Sequence, residues 1–374
     1  MRADFSADIN LAKHLSIQKK YKEARKKYME LLGQIGNMNC MQQVMIFAGL
    51  GHISRIKLLF SEAVEYFEKA LKLEPKNRFA LNGIANSYRG LKNHSREIHW
   101  WKQLLSYHPH DFLAMNRLAD AYRHKNDNDQ AEILYLQSLE LKHNNKFALM
   151  GLGDLYFKQK KYNLTLKYWE KLLILHPEFI NIMTMVANIY RMRKNFTDAL
   201  YYYKKAYEIA PSNNYVLFGI ADTLRGQLLY RDSIAYWEQC FSNNKNDTRV
   251  LTRLGDMYMQ CAMIEEAEKV YIRAWEQNKD KYGYLGLIKF EAFQKNYQKV
   301  IEMIQKMLKT SETENRVVAI IVEILFSIGH KDKIYNLLSP YVDLKDIGMF
   351  SRLMVQDMVN FRNNTDTIGN IIDE

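Results

Sequence analysis

The sequence has little of what interrupts or cross-links a helical chain. Its 374 residues include five prolines, 16 glycines and three cysteines. No stretch is rich in glycine, serine or proline, so the composition gives no sign of a linker or a low-complexity segment. Cys40, Cys240 and Cys261 form no CxxC pair. This argues against a disulfide framework or a zinc site, and it predicts that all three act as small apolar fillers.

Long apolar runs are also missing. The longest ones stop well short of the roughly 20 residues that a membrane-spanning helix needs, so no membrane insertion is predicted. The first residues, MRADFSADINLAKHLSIQ, alternate charged with apolar side chains and contain no apolar core of a secretory signal. A cytoplasmic location is therefore expected.

Sequence motifs of catalysis are absent as well. There is no glycine-rich phosphate loop, no HExxH and no GxSxG elbow in the sequence. His94, His99, His108 and His110 lie close together in the sequence, but their spacing across a turn and a helix end suits no common metal geometry. We therefore expect neither an enzyme nor a metal or cofactor site.

What the sequence does contain is a 34-residue repeat, and such a repeat decides the fold. Prolines recur at separations of 34, 68 and 34 residues, at Pro75, Pro109, Pro177 and Pro211. Within one period the apolar residues form two stripes with helical spacing, over 183–190 and 196–207, separated by the polar turn 193–195. Each period is therefore predicted to be a hairpin of two helices.

The pattern resembles the tetratricopeptide repeat family. The signature of this family is, in order, a small residue, tyrosine, alanine, an aromatic residue, alanine and proline. The repeat that starts at Ile180 matches it with Ala187, Tyr190, Ala199, Tyr203, Ala206 and Pro211. The resemblance implies an all-α, right-handed superhelical solenoid of about ten helix-turn-helix repeats with a C-terminal capping helix. It is expected as a single domain over 1–374, with repeats at about 5–38, 44–77, 78–111, 112–145, 146–179, 180–213, 214–247, 248–280, 281–313 and 315–343, and a capping helix and tail at 344–374.

Neighbouring repeats differ, so the full sequence period is 68 residues. One type has glycine in its first helix and tryptophan in its second, as in Gly151 and Trp169. The other type has tyrosine in place of tryptophan, as in Tyr203. We expect the tryptophans to be core residues. We expect the glycines to relieve crowding against Leu104 and Leu172 of their own hairpins, with close approach of a ligand as the alternative.

A polar stripe follows the first helices on the side opposite the core, because repeat positions 5, 9 and 12 share one helix face. Its members, which the family resemblance places in a concave peptide-binding groove, are Asn82, Asn86, Arg89, Asn116, Asp120, Arg123, Asp154, Phe157, Asn188, Arg191, Asp222, Arg225 and Asp256. Arginines could bind carboxylates of a partner. The alternative is structural, namely pairs within one helix or contacts between repeats.

The expected function is that of a non-catalytic scaffold or adaptor that binds a protein segment, with acidic segments among the candidates. The alternative is a regulatory module that uses its net charge of +11 to bind nucleic acid or an acidic partner. Nucleic acid is disfavoured because the lysines are scattered and the densest basic stretch, 19–27, contains Glu23. Reversal of Arg89, Arg123, Arg191 and Arg225 to glutamate is expected to abolish partner binding without unfolding the protein.

Overall fold

The computed structural model describes residues 5–310, 314–330 and 333–340. All regular elements in these ranges are helical, as predicted from the repeat. The helices divide into two compact units, Met1–Pro177 (unit 1) and Glu178–Glu374 (unit 2). Each unit is described by itself.

Unit 1 consists of five helical hairpins in its described part. Their helices are α1 Ser6–Ile17 and α2 Tyr21–Leu32, α3 Cys40–Ile56 and α4 Phe60–Leu73, α5 Arg78–Gly90 and α6 His94–Tyr107, α7 Phe112–His124 and α8 Asn128–Leu141, and α9 Lys146–Lys158 and α10 Tyr162–Leu175. A short 3-10 turn, Ile35–Asn37, accounts for the extra residues between the first two hairpins.

Unit 2 likewise contains five helix pairs in its described part. They are α11 Ile180–Met192 and α12 Phe196–Ile209, α13 Asn214–Gly226 and α14 Tyr230–Asn243, α15 Thr248–Gln260 and α16 Ile264–Asn278, α17 Lys281–Phe293 and α18 Tyr297–Thr310, and α19 Asn315–Ser327 and α20 Lys333–Leu338. The predicted capping helix and tail at 344–374 lie outside the described residues. The organisation as one continuous solenoid stays a prediction.

The hairpins begin and turn in a repeated way that the sequence sets locally. Most first helices start after a capping side chain: Asn145 Oδ1 accepts from the N–H of Phe147 at 3.2 Å, and Asp247 Oδ1 from that of Arg249 at 3.0 Å. Such caps satisfy amide groups that lack partners at a helix start. Each hairpin then turns through a residue with positive φ, for example Lys160 at 57° and Lys194 at 58°.

The three equivalent glycines Gly83, Gly151 and Gly219 pack against an aromatic ring of the preceding hairpin. A methyl group on Gly151 in α9 would overlap the ring of Tyr135 in α8, and one on Gly219 in α13 would overlap that of Tyr203 in α12. The predicted packing role is therefore correct, but the predicted partners are wrong. Crowding comes from the previous hairpin because its second helix lies directly against the next first helix.

The tryptophans Trp101, Trp169 and Trp237 are buried core residues, as predicted. Of the cysteines, Cys240 is buried, and burial raises the pKa of its thiol to about 12. Cys261 is partly buried. The prediction of an apolar filler is wrong for Cys40, which is exposed as the first residue of α3.

Candidate protein-binding surface on the first helices

The predicted polar stripe, called the first-helix stripe below, is mostly half-buried in both units. Asn82, Phe157 and Asn188 are exposed and Asn116 is buried. The half-buried members are Asn86, Arg89, Asp120, Arg123, Asp154, Arg191, Asp222, Arg225 and Asp256. Many of these side chains contact each other or a neighbouring helix, so part of the stripe is engaged within the protein.

On α5 of unit 1, the stripe leaves an arginine free. Asn86 Nδ2 donates to the backbone O of Asn82 at 2.9 Å and to its Oδ1 at 2.7 Å. The guanidinium of Arg89 forms no hydrogen bond or ion pair with any other residue in the described part of the chain. Burial lowers the pKa of the neighbouring His124, and the charge of Arg89 contributes to that shift. A cation is therefore available at the end of α5.

On α7, the stripe is tied to the second helix of its own hairpin. Tyr135 Oη donates to Asp120 Oδ1 at 2.6 Å. Burial raises the pKa of Tyr135, and the Asp120 carboxylate adds to that effect. The tyrosine hydroxyl is thus a fixed donor. In the hairpin of α3 and α4, where Phe67 replaces the tyrosine, the stripe position carries His52 instead of an acid.

A second link joins α7 to the next hairpin. Arg123 Nη1 donates to Asp154 Oδ2 on α9 at 2.9 Å, while its Nη2 lies 3.5 Å from Asp120 Oδ1. Burial raises the pKa of Asp154, and Arg123 opposes that shift. The guanidinium is therefore engaged within the protein. It links two hairpins rather than offering a free donor.

Asn116 differs from every other member of the stripe. Its side chain is 3 % exposed, and neither Nδ2 nor Oδ1 has a hydrogen-bond partner among the described residues. An amide buried without partners costs about 1–3 kcal/mol. The equivalent position carries Met150 on α9, so this site also accepts an apolar side chain.

Two aromatic side chains beside the stripe in unit 1 are exposed and were not among the predicted site residues. Phe79 is 53 % exposed and Phe147 is 46 % exposed, and both occupy the second repeat position of glycine-type hairpins. Their recurrence after 68 residues was the signal that could have identified them. Phe157, which was predicted, packs against Tyr162 and Trp169 with ring centroids 6.0 and 5.4 Å away.

The first hairpins of unit 2 repeat the arrangement of unit 1. Tyr203 Oη donates to Asn188 Oδ1 at 2.6 Å, which matches the bond between Tyr135 and Asp120. Arg191 Nη1 lies 3.8 Å from Asp222 Oδ2 on the next first helix. Arg225 pairs with the same Asp222 within α13, at 3.3 Å.

Further along unit 2, the ion pair between hairpins has its two charges in exchanged positions, with the acid on the earlier first helix and the base on the following one. Asp256 accepts a hydrogen bond from Tyr271 Oη at 2.8 Å, as in the earlier tyrosine-type hairpins. The position of the linking arginine is occupied by Met259, and the position of its acidic partner by Lys289. Lys289 Nζ lies 3.6 Å from Asp256 Oδ1. An ion pair is thus retained with the lysine on the following helix.

No group of three or more metal-ligating side chains occurs within residues 5–310, 314–330 and 333–340. In the same ranges, no helix is long and apolar enough to span a membrane.

Comparison with known proteins agrees with this geometry. Three family models, each described as a tetratricopeptide repeat, match residues 47–77, 114–149 and 150–214. The chain thus contains tetratricopeptide repeats over these residues. A search of curated protein sequences gave no match.

Several solved structures are similar to this chain, and the first one below, with a TM-score above 0.5, shares its fold. The C-terminal part of a repeat-containing protein from Cytophaga hutchinsonii is 13 % identical, with a TM-score of 0.56 and coverage of 63 % of this chain and 98 % of its own. YrrB, described as a tetratricopeptide repeat protein with an unusual peptide-binding site, is 17 % identical with a TM-score of 0.45, covering 49 % of this chain and 94 % of its own. Yeast Tom70 is 17 % identical with a TM-score of 0.43, covering 75 % and 60 %.

Tetratricopeptide repeats generally act as non-catalytic scaffolds for interactions between proteins. In this chain, the stripe on which such contacts would be sought has two parts. One part, centred on Arg123, Arg191 and Asp256, is engaged in links within and between hairpins. The other part, centred on Arg89 and Asn116, has unused hydrogen-bonding groups.

Proposed function

We propose that this chain is a non-catalytic interaction module that binds an extended segment of a partner protein along α5, α7 and α9 of unit 1. The unpartnered amide of Asn116 is the observation that carries the proposal. A side-chain amide can donate and accept at once, and so can the backbone of an extended peptide. Both groups lie beneath the surface, so neighbouring side chains have to move aside before a bound segment can reach them. The segment would then satisfy both groups of Asn116, and the free energy lost by burying them would be recovered on binding.

The aromatic side chains beside the stripe supply apolar contacts for such a segment. Phe79 and Phe147 expose about half of their surface. They lie on α5 and α9, on either side of α7 in the chain. Large aromatic side chains are frequent anchors in protein interfaces because they bury much area at little entropic cost.

Arg89 gives the surface a preference for acidic segments. It has no carboxylate partner in the described part of the chain, unlike Arg123. A guanidinium can bind a carboxylate through two parallel hydrogen bonds. In unit 2 the stripe residues are largely paired with each other, so we assign Asn188, Arg191, Asp222, Arg225 and Asp256 to hairpin links rather than to binding. The cytoplasmic location expected from the sequence stays a prediction.

A selection with random peptides tests the proposal. Peptides of about a dozen residues would be selected by display on the immobilised full chain, and the affinity of an enriched peptide measured by fluorescence anisotropy. Asn116→Leu should weaken binding at least about tenfold, as expected for the loss of two hydrogen bonds. The control is Asn163→Leu, which changes an exposed asparagine on α10.

Two results would overturn the proposal. One is the enrichment of no peptide. The other is an equal affinity of the Asn116→Leu and Asn163→Leu variants for the selected peptide. Binding of polyuridylic acid that competes with the peptide and falls steeply with salt would favour the nucleic-acid alternative.

A further inference from the structure

A second surface of unit 1 is formed by the turns between the two helices of its hairpins. This turn edge comprises residues 17–23, 56–62, 90–97, 124–130 and 158–164. Its basic side chains are Lys19, Lys20, Lys22, Lys57, Lys92, Arg96, Lys125, Lys158, Lys160 and Lys161, and all are exposed. None of them is ion-paired with a carboxylate in the described part of the chain.

The last three turns of this edge contact one another, so their charges form one continuous surface. Lys125 Nζ donates to Ser95 Oγ of the preceding hairpin at 3.3 Å. Lys158 Nζ donates in the same way to Asn126 Oδ1 at 2.8 Å. The rings of His94 and His124 stack with centroids 5.1 Å apart.

Large aliphatic side chains project from the same turns. Leu58 is 71 % exposed and Ile17 is 70 % exposed, and Leu59 and Leu91 are also exposed. Leu58 has a φ of 61°, a conformation in which a side chain costs about 1–2 kcal/mol. The chain therefore has an exposed leucine at a turn position where glycine would adopt the same φ without strain.

Unit 2 does not share this composition. Its corresponding turns at 192–198, 226–232, 260–266 and 293–299 contain five Lys or Arg against four Asp or Glu. The five turns of unit 1 contain ten against five. Two of those five acids, Glu62 and Glu97, are already paired with Arg25 and His94. The net charge of these turns is thus +5 over five turns in unit 1 and +1 over four turns in unit 2.

From this geometry we infer that the turn edge of unit 1 binds an anionic lipid surface. Lysines attract anionic headgroups without needing a fixed geometry, and aliphatic side chains between them can enter the region where headgroups meet acyl chains. Single-stranded nucleic acid would instead require exposed aromatic side chains for base stacking. The large apolar residues exposed on this edge are aliphatic. Nothing in this inference depends on peptide binding at the first-helix stripe.

Charge reversals at matched turn positions test the role of the lysines. The full chain would be sedimented with vesicles of phosphatidylcholine alone and with vesicles that contain about a third phosphatidylglycerol. The wild-type chain should bind only the anionic vesicles. Lys92→Glu with Lys160→Glu should lower the partition coefficient at least about tenfold. The control, Lys194→Glu with Lys295→Glu, makes the same charge change at turn residues of unit 2 that also have positive φ.

A second pair of variants tests the role of the aliphatic side chains. Leu58→Asn should lower the partition coefficient on anionic vesicles several-fold, because an apolar contact with the acyl region is lost. Leu228→Asn is the control, since Leu228 occupies the equivalent turn in unit 2 with a φ of 63° and is also exposed. Asparagine accepts the left-handed conformation, so both variants should remain folded.

The inference is contradicted if the wild-type chain does not bind anionic vesicles, or if the two double variants bind them equally. It is also contradicted if the Lys92→Glu with Lys160→Glu variant loses binding to polyuridylic acid but not to vesicles. Peptide binding at the first-helix stripe is measured separately, with Asn116→Leu, so failure of one proposal leaves the other unaffected.

Discussion

Arg123 on α7 and Asp154 on α9 are joined by a hydrogen bond of 2.9 Å between the first helices of consecutive hairpins. Asp120 and Tyr135 complete the group on the side of α7. The sequence places these residues 31 positions apart, yet the fold brings them into contact. The position predicted to offer arginine to a partner thus contributes to the cohesion of the repeat array.

The link predicts a loss of stability when the arginine is removed. Arg123→Met should reduce the free energy of unfolding by about 1–3 kcal/mol, because Asp154 is left half-buried without its charged partner. Arg225→Met should cost only about 0.2–0.5 kcal/mol, since Arg225 pairs with Asp222 inside one helix. Urea unfolding followed by circular dichroism measures both. Equal losses in the two variants would rule out a special role for the Arg123 link.

The exchanged pair in unit 2 predicts a rescue. Lys289→Asp should destabilise the protein, because it replaces the partner of Asp256 with a second carboxylate. Addition of Met259→Arg should restore most of the lost stability, since it recreates the arrangement of Arg123 and Asp154. Thermal unfolding of the single and double variants tests this coupling. If Met259→Arg has the same effect with and without Lys289→Asp, the two positions do not interact.

The packing of glycine against tyrosine predicts that a methyl group is harmful. Gly151→Ala gains up to about 1 kcal/mol of helix propensity. It should nevertheless destabilise the protein by about 1–3 kcal/mol overall, because the added methyl overlaps the ring of Tyr135. Gly36→Ala is the control, since nothing lies near the position of its new methyl. A Gly151→Ala variant as stable as the wild type would show that the ring moves aside freely.

Alkaline pH should weaken unit 1 through Tyr28. Burial raises the pKa of this hydroxyl from 10.0 to about 12, so the folded state holds the proton more tightly than the unfolded state. The resulting stabilisation is complete below pH 10 and disappears as the pH rises through about 12. Tyr28→Phe should therefore lose less stability than the wild type over that interval, as measured by urea midpoints. Tyr201→Phe, at a half-exposed side chain, should behave like the wild type.

Much of the fold could be predicted from the sequence because helical spacing and the 34-residue period are local properties. The hairpins, the buried tryptophans and the position of the stripe all followed from them. The partner of Gly151 did not, because Tyr135 belongs to the preceding hairpin. The pairing of Arg123 with Asp154 also needed the distance between hairpins, which no sequence spacing contains.

The position of the candidate site could be predicted from the sequence, but the bonding and burial of its side chains could not. Spacing within each first helix placed Arg89 of α5 and Asn116 and Arg123 of α7 on equivalent helix faces, and it gave no reason to distinguish them. In the structure Arg123 is bonded to Asp154, whereas the side chains of Arg89 and of the buried Asn116 have no partner among the described residues. The expectation that four arginine reversals would leave the fold intact therefore changes. Arg123→Glu would place a carboxylate beside Asp154 and would therefore lower stability as well as binding. Of the four reversals, only Arg89→Glu tests binding without a loss of stability.

The most direct measurement of the proposed function is a crystal structure of the full chain with a selected peptide bound. The account predicts an extended peptide along α5, α7 and α9, with Asn116 Nδ2 and Oδ1 each about 2.9 Å from a backbone group of the peptide. A peptide bound elsewhere on the chain, or one that leaves the Asn116 amide without a partner, would contradict it.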